Sequence, residues 1–256
     1  MRIARALALG GVAARRKCER HILAGEVTVN GEVVRDLGRQ VEPGKERVAF
    51  RGRPISFQEK VYYLLHKPAG YMTTVSDPHA KRTVYELLPR ELKSASKPTV
   101  GNKIASKGRA GPRVFPVGRL DRDSTGLLLF TNDGDLANRL THPRYEVAKV
   151  YEAKLDRPLD SPALARLRQG VPLEEGLARP EEVEVLSSGV VRLLLREGKK
   201  REVRRIFEKL GRRVTELCRI SFGPLRLGDL PAGQGRFLRP EAIQALRYAH
   251  PVPDTG

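Results

Sequence analysis

The sequence contains no tryptophan, only two cysteines and no apolar run long enough to cross a membrane. Cys18 and Cys218 lie far apart and lack the close spacing of metal ligands, so we expect no structural zinc site and a reducing compartment. The N-terminus has neither a sustained apolar core nor a cleavage site, which argues against a secretion signal. Together these absences predict a cytoplasmic protein without membrane association.

Acidic residues are scarce beside basic ones: 30 Asp and Glu stand against 48 Lys and Arg, a formal charge of +18. This excess predicts a polyanionic partner, most simply nucleic acid, although charge alone names no function. Because aromatic residues are few, any base stacking has to rest on a few Tyr, Phe or Arg side chains. No metal, nucleotide or flavin motif is present, so we expect no cofactor and no metal. At 256 residues the chain is long enough for one or two domains.

Two short helices are predicted within residues 1–24. Ile3 and Leu7 form an apolar face on the first helix, and Cys18 and Ile22, four positions apart, do so on the second. The other side of the second helix carries the basic residues Arg15, Arg16, Lys17 and Arg20. Clustered charge of one sign favours RNA contact over the alternative, a solvated helix face.

A β-hairpin is predicted next, because Asn30-Gly31 lies between the β-branched runs Val27–Val29 and Val33-Val34. Two helices followed by such a hairpin resemble the small RNA-binding module named after ribosomal protein S-four, the alpha-L motif. The resemblance implies an RNA-binding domain at the N-terminus, which we assign to residues 1–58.

The most informative stretch of the chain runs from Pro116 to Gly134. Leu127–Phe130 is too short for a helix and is bounded by Gly126 and the turn at 132–134, a pattern that predicts a strand buried on both faces. Directly before it stand the charged residues Arg119, Asp121, Arg122 and Asp123. One interpretation is a polar loop with ordinary ion pairs, and the other is a functional site at the edge of the core.

This stretch resembles the signature of the bacterial ribosomal RNA pseudouridine synthases of the RsuA/RluB type: Gly-Arg-Leu-Asp, a hydroxyl residue, Gly and four apolar residues, all in fixed order between Gly118 and Asn132. The resemblance implies an α+β protein with a catalytic domain over residues 59–256, built on a mixed, mainly antiparallel sheet with flanking helices. It implies Asp121 as the catalytic residue. We further expect Arg119 to fill the space that the target base vacates and Leu120 to line the base pocket.

Two later stretches resemble further elements of the family's active site. Lys149-Val150-Tyr151, on a predicted strand, matches the element whose Tyr lies against the target base, although an ordinary packed tyrosine is the alternative. Glu202-Val203-Arg204-Arg205, on a predicted helix, matches the element whose apolar residue lines the base pocket and whose first Arg pairs with the catalytic Asp. The resemblance therefore implies site roles for Tyr151, Val203 and Arg204.

Isomerisation of uridine to pseudouridine, which the resemblance implies, needs an ionised carboxylate in a dry pocket. Burial raises the pKa of a carboxylate and a nearby cation lowers it, so we expect Arg204 to keep Asp121 charged. Whether Asp121 acts as nucleophile or as base stays open. A hydrolytic glycosidase would use two flanking carboxylates, and Asp123 in an extended segment would point away from the neighbours of Asp121.

Further basic residues are candidates for binding RNA. Lys199, Lys200 and Arg201 stand at the entrance of the predicted helix, where a solvated helix end is the alternative. Lys67, in a Lys-Pro-x-Gly turn that resembles the opening of the family's catalytic domain, could touch phosphate or be a plain turn lysine.

Less specific stretches give weaker expectations. Val84–Leu92 predicts one short helix, and Ser161-Pro162 predicts the cap of another. Residues 93–113 carry six basic residues and no acid, so we expect a mobile loop that either clamps RNA or only aids solubility. His250–Gly256 is predicted to be a loose tail.

These observations favour an enzyme that isomerises a specific uridine in ribosomal RNA. The basic insert and the wording of Lys199–Arg205 are closer to the RluB-like branch, which implies the large-subunit (23S) RNA. A small-subunit (16S) enzyme and a non-catalytic RNA-binding assembly factor are the alternatives. The expected partner is ribosomal RNA, free or in an assembling particle, and the expected state is a monomer.

Overall fold

The chain forms two compact units. The computed structural model describes residues 1–74, 81–93 and 111–248. One unit consists of Met1–Val61 and Arg90–Val114, and the other of Tyr62–Pro89 and Phe115–Gly256.

The described residues do not test three of the predictions. The predicted domain boundary between residues 58 and 59 stays a prediction. Most of the predicted basic loop 93–113, and the predicted tail from residue 250, lie outside the described residues. In the part of the chain that the structure describes, no helix is long and apolar enough to cross a bilayer.

The first unit packs short helices on a small sheet. Its helices are α1 (Ile3–Leu9), α2 (Arg15–Leu23) and α3 (Arg90–Lys93). Its strands are β1 (Val27–Val29), β2 (Glu32–Val33), β3 (Val48–Phe50) and β4 (Arg53–Pro54), in the order β2-β1-β3-β4. The two predicted helices and the hairpin are confirmed, with Ile3, Leu7, Cys18 and Ile22 buried in one core. Asn30 and Gly31 both have positive φ, as a two-residue hairpin turn requires.

The second unit is built on a nine-stranded sheet. Its strands are β5 (Tyr62–Lys67), β6 (Phe115–Pro116), β7 (Thr125–Thr131), β8 (Lys149–Leu155), β11 (Glu182–Ser187), β12 (Val190–Leu195), β13 (Val214–Phe222), β14 (Leu225–Arg226) and β15 (Gly235–Phe237). A separate hairpin consists of β9 (Val171–Leu173) and β10 (Gly176–Ala178). The main path of the large sheet is β11-β12-β8-β13-β7-β5-β15, while β14 pairs with β13 and β6 pairs with β7.

Only the pairing of β13 with β7 is parallel among the strand pairs of the described residues. The helices of this unit are α4 (Gly134–Thr141), α5 (Ser161–Gln169), α6 (Glu202–Lys209) and α7 (Pro240–Arg247), with 3-10 turns at Val84–Leu87 and Pro143–Tyr145. The predicted α+β fold with a mixed, mainly antiparallel sheet and flanking helices is therefore confirmed.

Strand β7 lies inside the sheet, between β13 and β5. Its residues Leu127–Phe130 are fully buried, as their unbroken apolar run predicts. Gly126 has a φ of +106°, and a Cβ there would overlap the backbone of Arg219 on the parallel strand β13. Glycine is needed at this position because the two backbones approach so closely. The charged loop before β7 is thus anchored to the middle of the sheet.

Helix α6 buries one side against this sheet. Val203, Ile206 and Phe207 pack with Ala153 of β8 and Leu193 of β12. The predicted helix is confirmed, and its apolar residues at i, i+3 and i+4 form the side that packs in the core with β8, β12 and β13.

Two local predictions are wrong in detail. Val84–Leu92 is a 3-10 turn followed by α3, because Leu88 precedes Pro89 and is extended, with a ψ of 151°. A residue before proline is excluded from the helical region, so the helix breaks there. The cap of α5 is Asp160 instead of Ser161, since the Asp160 carboxylate accepts a hydrogen bond from the Ala163 amide at 2.8 Å.

Candidate active site

A cleft of about 650 Å³ lies on one face of the nine-stranded sheet. The strand register places Tyr151 of β8 between Leu193 of β12 and Arg219 of β13. Side chains that alternate along these strands line the floor: Lys149, Tyr151, Leu195, Leu217, Arg219 and Phe222. A volume of this size is within the range of small-ligand pockets, about 300–1,000 Å³.

Two segments form the walls of the cleft. One is the loop before β7, which contributes Arg119, Leu120 and Asp121, and the other is the start of α6 with Val203. The three motifs that are far apart in sequence therefore line one cavity. Leu120 and Val203 are both buried, so they present apolar surface to it.

Asp121 stands at the rim of this cleft. Its side chain is 34% exposed, and its Oδ2 lies 3.8 Å from Nη1 of Arg201. Arg201 has a left-handed conformation immediately before α6. The expected ion pair between Asp121 and Arg204 is therefore wrong, because Arg201 is the cation at salt-bridge distance. The carboxylate is partly open to solvent, and the expected dry pocket around it stays a prediction.

Arg204 holds the backbone around Asp121 and does not pair with its carboxylate. Its Nη1 donates to the carbonyl of Val214 at 2.8 Å, and its Nη2 donates to the carbonyl of Asp123 at 3.2 Å. Burial and the neighbouring Arg201 lower the pKa of Arg204, whereas the charges of Asp121 and Asp123 raise it. Arg204 thus lies in the field of Asp121 while it ties α6 to β13 and to the loop.

Lys67 is a second tether of the loop. Its side chain is 0% exposed, and its Nζ donates to the carbonyls of Arg122 at 3.1 Å and Ser124 at 2.7 Å, besides that of Pro68. Burial lowers the pKa of Lys67 to about 8, although Asp123 and Asp121 oppose this shift. The expected RNA contact of Lys67 is wrong, because a lysine buried under the loop has no access to phosphate.

The hydroxyl of Thr73 completes this support. Its Oγ1 donates to the carbonyl of Leu120 at 2.8 Å and accepts from the Leu120 amide at 3.3 Å. Sequence reasoning missed Thr73, which follows the Lys-Pro-x-Gly turn and carries no motif of its own. The segment after β5 therefore fixes the residues on both sides of Asp121.

Basic side chains surround the mouth of the cleft. Arg119, Lys200 and Arg201 are exposed and line it. Lys199 is different, because its Nζ donates to the carbonyl of Leu177 at 2.9 Å and pairs with Glu197 at 2.8 Å. In the first unit, all four predicted basic residues of α2 are exposed: Arg15, Arg16, Lys17 and Arg20.

A buried carboxyl group beside the cleft was also missed. Glu202 is 5% exposed, and its Oε2 accepts from the Lys199 amide at 3.1 Å. Burial raises the pKa of Glu202 to about 8, with a further contribution from the neighbouring carboxylate of Glu197. Lys149 lies near this pair and donates to the carbonyls of Val147 and Glu197 at 3.0 and 3.3 Å. In the described ranges no cluster of His, Cys, Asp and Glu could hold a metal ion.

Comparison with known proteins assigns a class to this fold and site. A solved structure described as a pseudouridylate synthase has a TM-score of 0.65 and 27% identity, with 96% of this chain and 99% of that chain covered. The family model described as RNA pseudouridylate synthase matches residues 61–209, and the S4 domain model matches residues 1–46.

Full-length relatives agree with this class. An RNA pseudouridine synthase of Aquifex aeolicus (strain VF5) is 40% identical, over 96% of this chain and 93% of the relative. The ribosomal large subunit pseudouridine synthase B of Bacillus subtilis (strain 168) is 36% identical, over 96% of this chain and 95% of the relative. The chain belongs to the RNA pseudouridylate synthase family. It is therefore an enzyme, with an N-terminal S4 domain and an RNA substrate, and not a non-catalytic factor.

The two arginines near Asp121 are expected to differ strongly in importance. Arg204→Ala would free two backbone carbonyls and let the loop shift, so we expect turnover at saturating RNA to fall about 100-fold. Arg201→Ala removes a partly exposed ion pair, worth at most about 1 kcal/mol, so we expect a loss of no more than about fivefold. Single-turnover rates of both variants test this order, and equal losses would contradict it.

Glu202 makes stability depend on pH in a defined direction. Its pKa is raised from 4.5 to about 8 in the folded protein, so the folded state binds more protons between these values and stability falls as pH rises. Glu202→Gln removes this loss. We expect the free energy of unfolding of the variant, relative to that of the parent, to rise by roughly 2–4 kcal/mol between pH 5 and pH 9. Thermal melts of both proteins across that range measure it, and a constant difference would refute the assignment.

Proposed function

We propose that this protein converts a specific uridine of the large-subunit (23S) ribosomal RNA to pseudouridine. The observation that carries the proposal is the carboxylate of Asp121 at the rim of a cleft whose floor presents the ring of Tyr151. The choice of the large subunit is supported by the name of the Bacillus subtilis relative, which is 36% identical over nearly the whole chain. Small-subunit (16S) RNA is the alternative that the experiment below separates.

The reaction exchanges one bond of the ribose for another. The bond between N1 of uracil and C1′ breaks, a bond between C5 and C1′ forms, C5 loses a proton and N1 gains one. We propose that Asp121 acts on the sugar, as nucleophile or as base. Arg204 supports it indirectly, because it holds the Asp123 carbonyl at 3.2 Å.

The remaining residues of the cleft would hold the base. We assign Tyr151 to the face of the extruded uracil, and Leu120 and Val203 to the apolar sides of its pocket. Extrusion costs a few kcal/mol of unstacking, which the contacts in the pocket offset. Arg119 is exposed at the mouth of the cleft, so it is suited to fill the gap left in the RNA stack.

RNA backbone binding would rest on the exposed basic residues. These are Arg15, Arg16, Lys17 and Arg20 of α2, together with Lys200 and Arg201 at the mouth of the cleft. Lys199 has a weaker claim because it is already paired with Glu197.

An enzyme that acts on ribosomal RNA works where ribosomes are assembled, so we also propose a cytoplasmic location. We propose that it acts as a monomer, which light scattering of the purified protein would test.

Tritium release from C5 separates the possible substrates. Transcripts of 23S and 16S ribosomal RNA made with 5-tritiated uridine would be incubated with the protein, and pseudouridines would then be mapped in both. We expect release from one position of the 23S transcript. Release from the 16S transcript alone would overturn the subunit assignment, and release from neither, in free RNA or in assembling particles, would overturn the proposed reaction.

A further inference from the structure

Arg219 is a buried cation in the floor of the cleft, and no step of the proposed reaction uses it. It lies on β13 directly beside Tyr151 and is 2% exposed. Its Nε donates to the carbonyl of Leu127 at 2.9 Å, and its guanidinium lies over the ring of Phe222 at 4.9 Å. These contacts fix the plane of the guanidinium.

The hydrogen bonds of Arg219 are incomplete. Its Nη2 is buried and has no acceptor among the described residues. Within the same ranges no carboxylate lies within 4.0 Å of this guanidinium, although 13 other ion pairs do form. A buried charge without a counter-ion and a buried donor without an acceptor both cost free energy. Lys149 is a second cation near Arg219, and the charge of Arg219 lowers the pKa of Lys149. Repulsion between the two cations increases the cost.

The position of Arg219 indicates what could compensate this cost. Phosphate groups of a bound RNA would be met at the exposed mouth of the cleft, by Arg119, Lys200 and Arg201. Arg219 instead lies at the floor, beside the ring of Tyr151. A group that reaches it must enter the cleft as deeply as the base itself, and uracil carries its only strong acceptors on its two carbonyl oxygens.

We infer that Arg219 is a further catalytic residue, which donates a hydrogen bond to a carbonyl oxygen of the uracil held against Tyr151 and stabilises the detached base. This inference rests on the proposed function. When the N1–C1′ bond breaks, its electron pair stays on the base and is shared with both carbonyl oxygens. The negative charge leaves the base when C5 bonds to C1′, after which C5 loses a proton and N1 gains one. A fixed cation in a water-poor floor favours this anion more than the neutral base.

A substrate with a more acidic base tests this role separately from a structural one. Fluorine at C5 withdraws electrons, so the detached 5-fluorouracil anion needs less stabilisation by the protein. We would compare transcripts made with uridine and with 5-fluorouridine, and follow loss of the parent nucleoside by digestion and mass spectrometry. Arg219→Gln is expected to slow the single-turnover reaction of uridine about 100-fold and that of 5-fluorouridine about tenfold or less.

Two controls keep the result interpretable. Arg219→Lys keeps the charge, so it is expected to recover part of the rate on uridine and to show a smaller difference between the substrates. If Arg219→Gln does not fold, as judged by its melting curve, the lysine variant alone carries the comparison. Equal losses on the two substrates would mean that Arg219 only supports the fold, and would overturn the inference. Absence of any reaction with the parent protein would instead overturn the proposed function.

Discussion

Replacing Asp121 by asparagine is expected to lower tritium release from ribosomal RNA by at least about three orders of magnitude. Asparagine keeps the size of the side chain but can neither attack the sugar nor remove its proton. Binding of RNA should change less than twofold, because the lost ion pair to Arg201 is 3.8 Å long and partly exposed. Filter binding and single-turnover tritium release on the same transcript measure the two quantities.

Asp123→Asn provides a matched control for this prediction. Asp123 lies in the same loop, its side chain is exposed, and its backbone carbonyl is the acceptor for Arg204. The exchange removes one negative charge two positions away and leaves that carbonyl in place. We expect activity within about threefold of the parent. Normal turnover by Asp121→Asn, or equal loss in both variants, would show that the reaction does not depend on the carboxylate of Asp121.

The elements that hold the site could be predicted because their sequence patterns are local. Leu127–Phe130 is an unbroken apolar run, and it forms the interior strand β7. Val203, Ile206 and Phe207 repeat with helical spacing, and they form the buried side of α6. The sheet order and the one parallel pair, β13 with β7, could not be read from the sequence, because they depend on contacts between distant segments.

The errors in the site arise from backbone geometry. Motif order correctly brought Asp121, Tyr151 and Val203 to one cleft, but it did not give the direction of each side chain. Arg201 has positive φ, an unusual conformation for arginine, and no pattern in the sequence predicts it. That conformation precedes the helix on which Arg204 sits three residues later, where backbone carbonyls are within reach. The cation nearest to Asp121 was therefore assigned one turn too late.

Burial of polar groups is the other feature that sequence could not supply. Lys67 ends an apolar strand, and a lysine at a strand end is normally at the surface. Here β5 lies between β7 and β15, so the chain leaves the sheet beneath the Asp121 loop. Glu202 of helix α6 and Arg219 of strand β13 are also buried by tertiary packing, because both lie where their elements line the cleft. Each of these residues has its polar atoms directed toward the site or its backbone.

Replacing Lys67 by methionine is expected to impair both stability and catalysis. Methionine fills much of the same space, but the carbonyl of Ser124 loses this donor, whereas that of Arg122 keeps the Gly70 amide at 2.8 Å. A buried carbonyl left without a partner costs about 1–3 kcal/mol. Because these carbonyls lie in the loop directly after Asp121, we also expect the loop to shift and turnover at saturating RNA to fall about 100-fold. Chemical denaturation and single-turnover tritium release measure the two effects.

Lys209→Met is the matched control, since Lys209 ends α6 and is exposed to solvent. Loss of a lysine charge at that position should leave stability within about 0.5 kcal/mol and turnover nearly unchanged. The affinity for RNA distinguishes the tether from a phosphate contact. If Lys67 bound phosphate, Lys67→Met would weaken RNA binding in a salt-dependent way and leave the reaction rate of bound RNA unchanged. If Lys67 is a tether, the variant binds RNA normally and the bound RNA reacts more slowly, because the buried amine supports the loop while the RNA phosphates bind elsewhere.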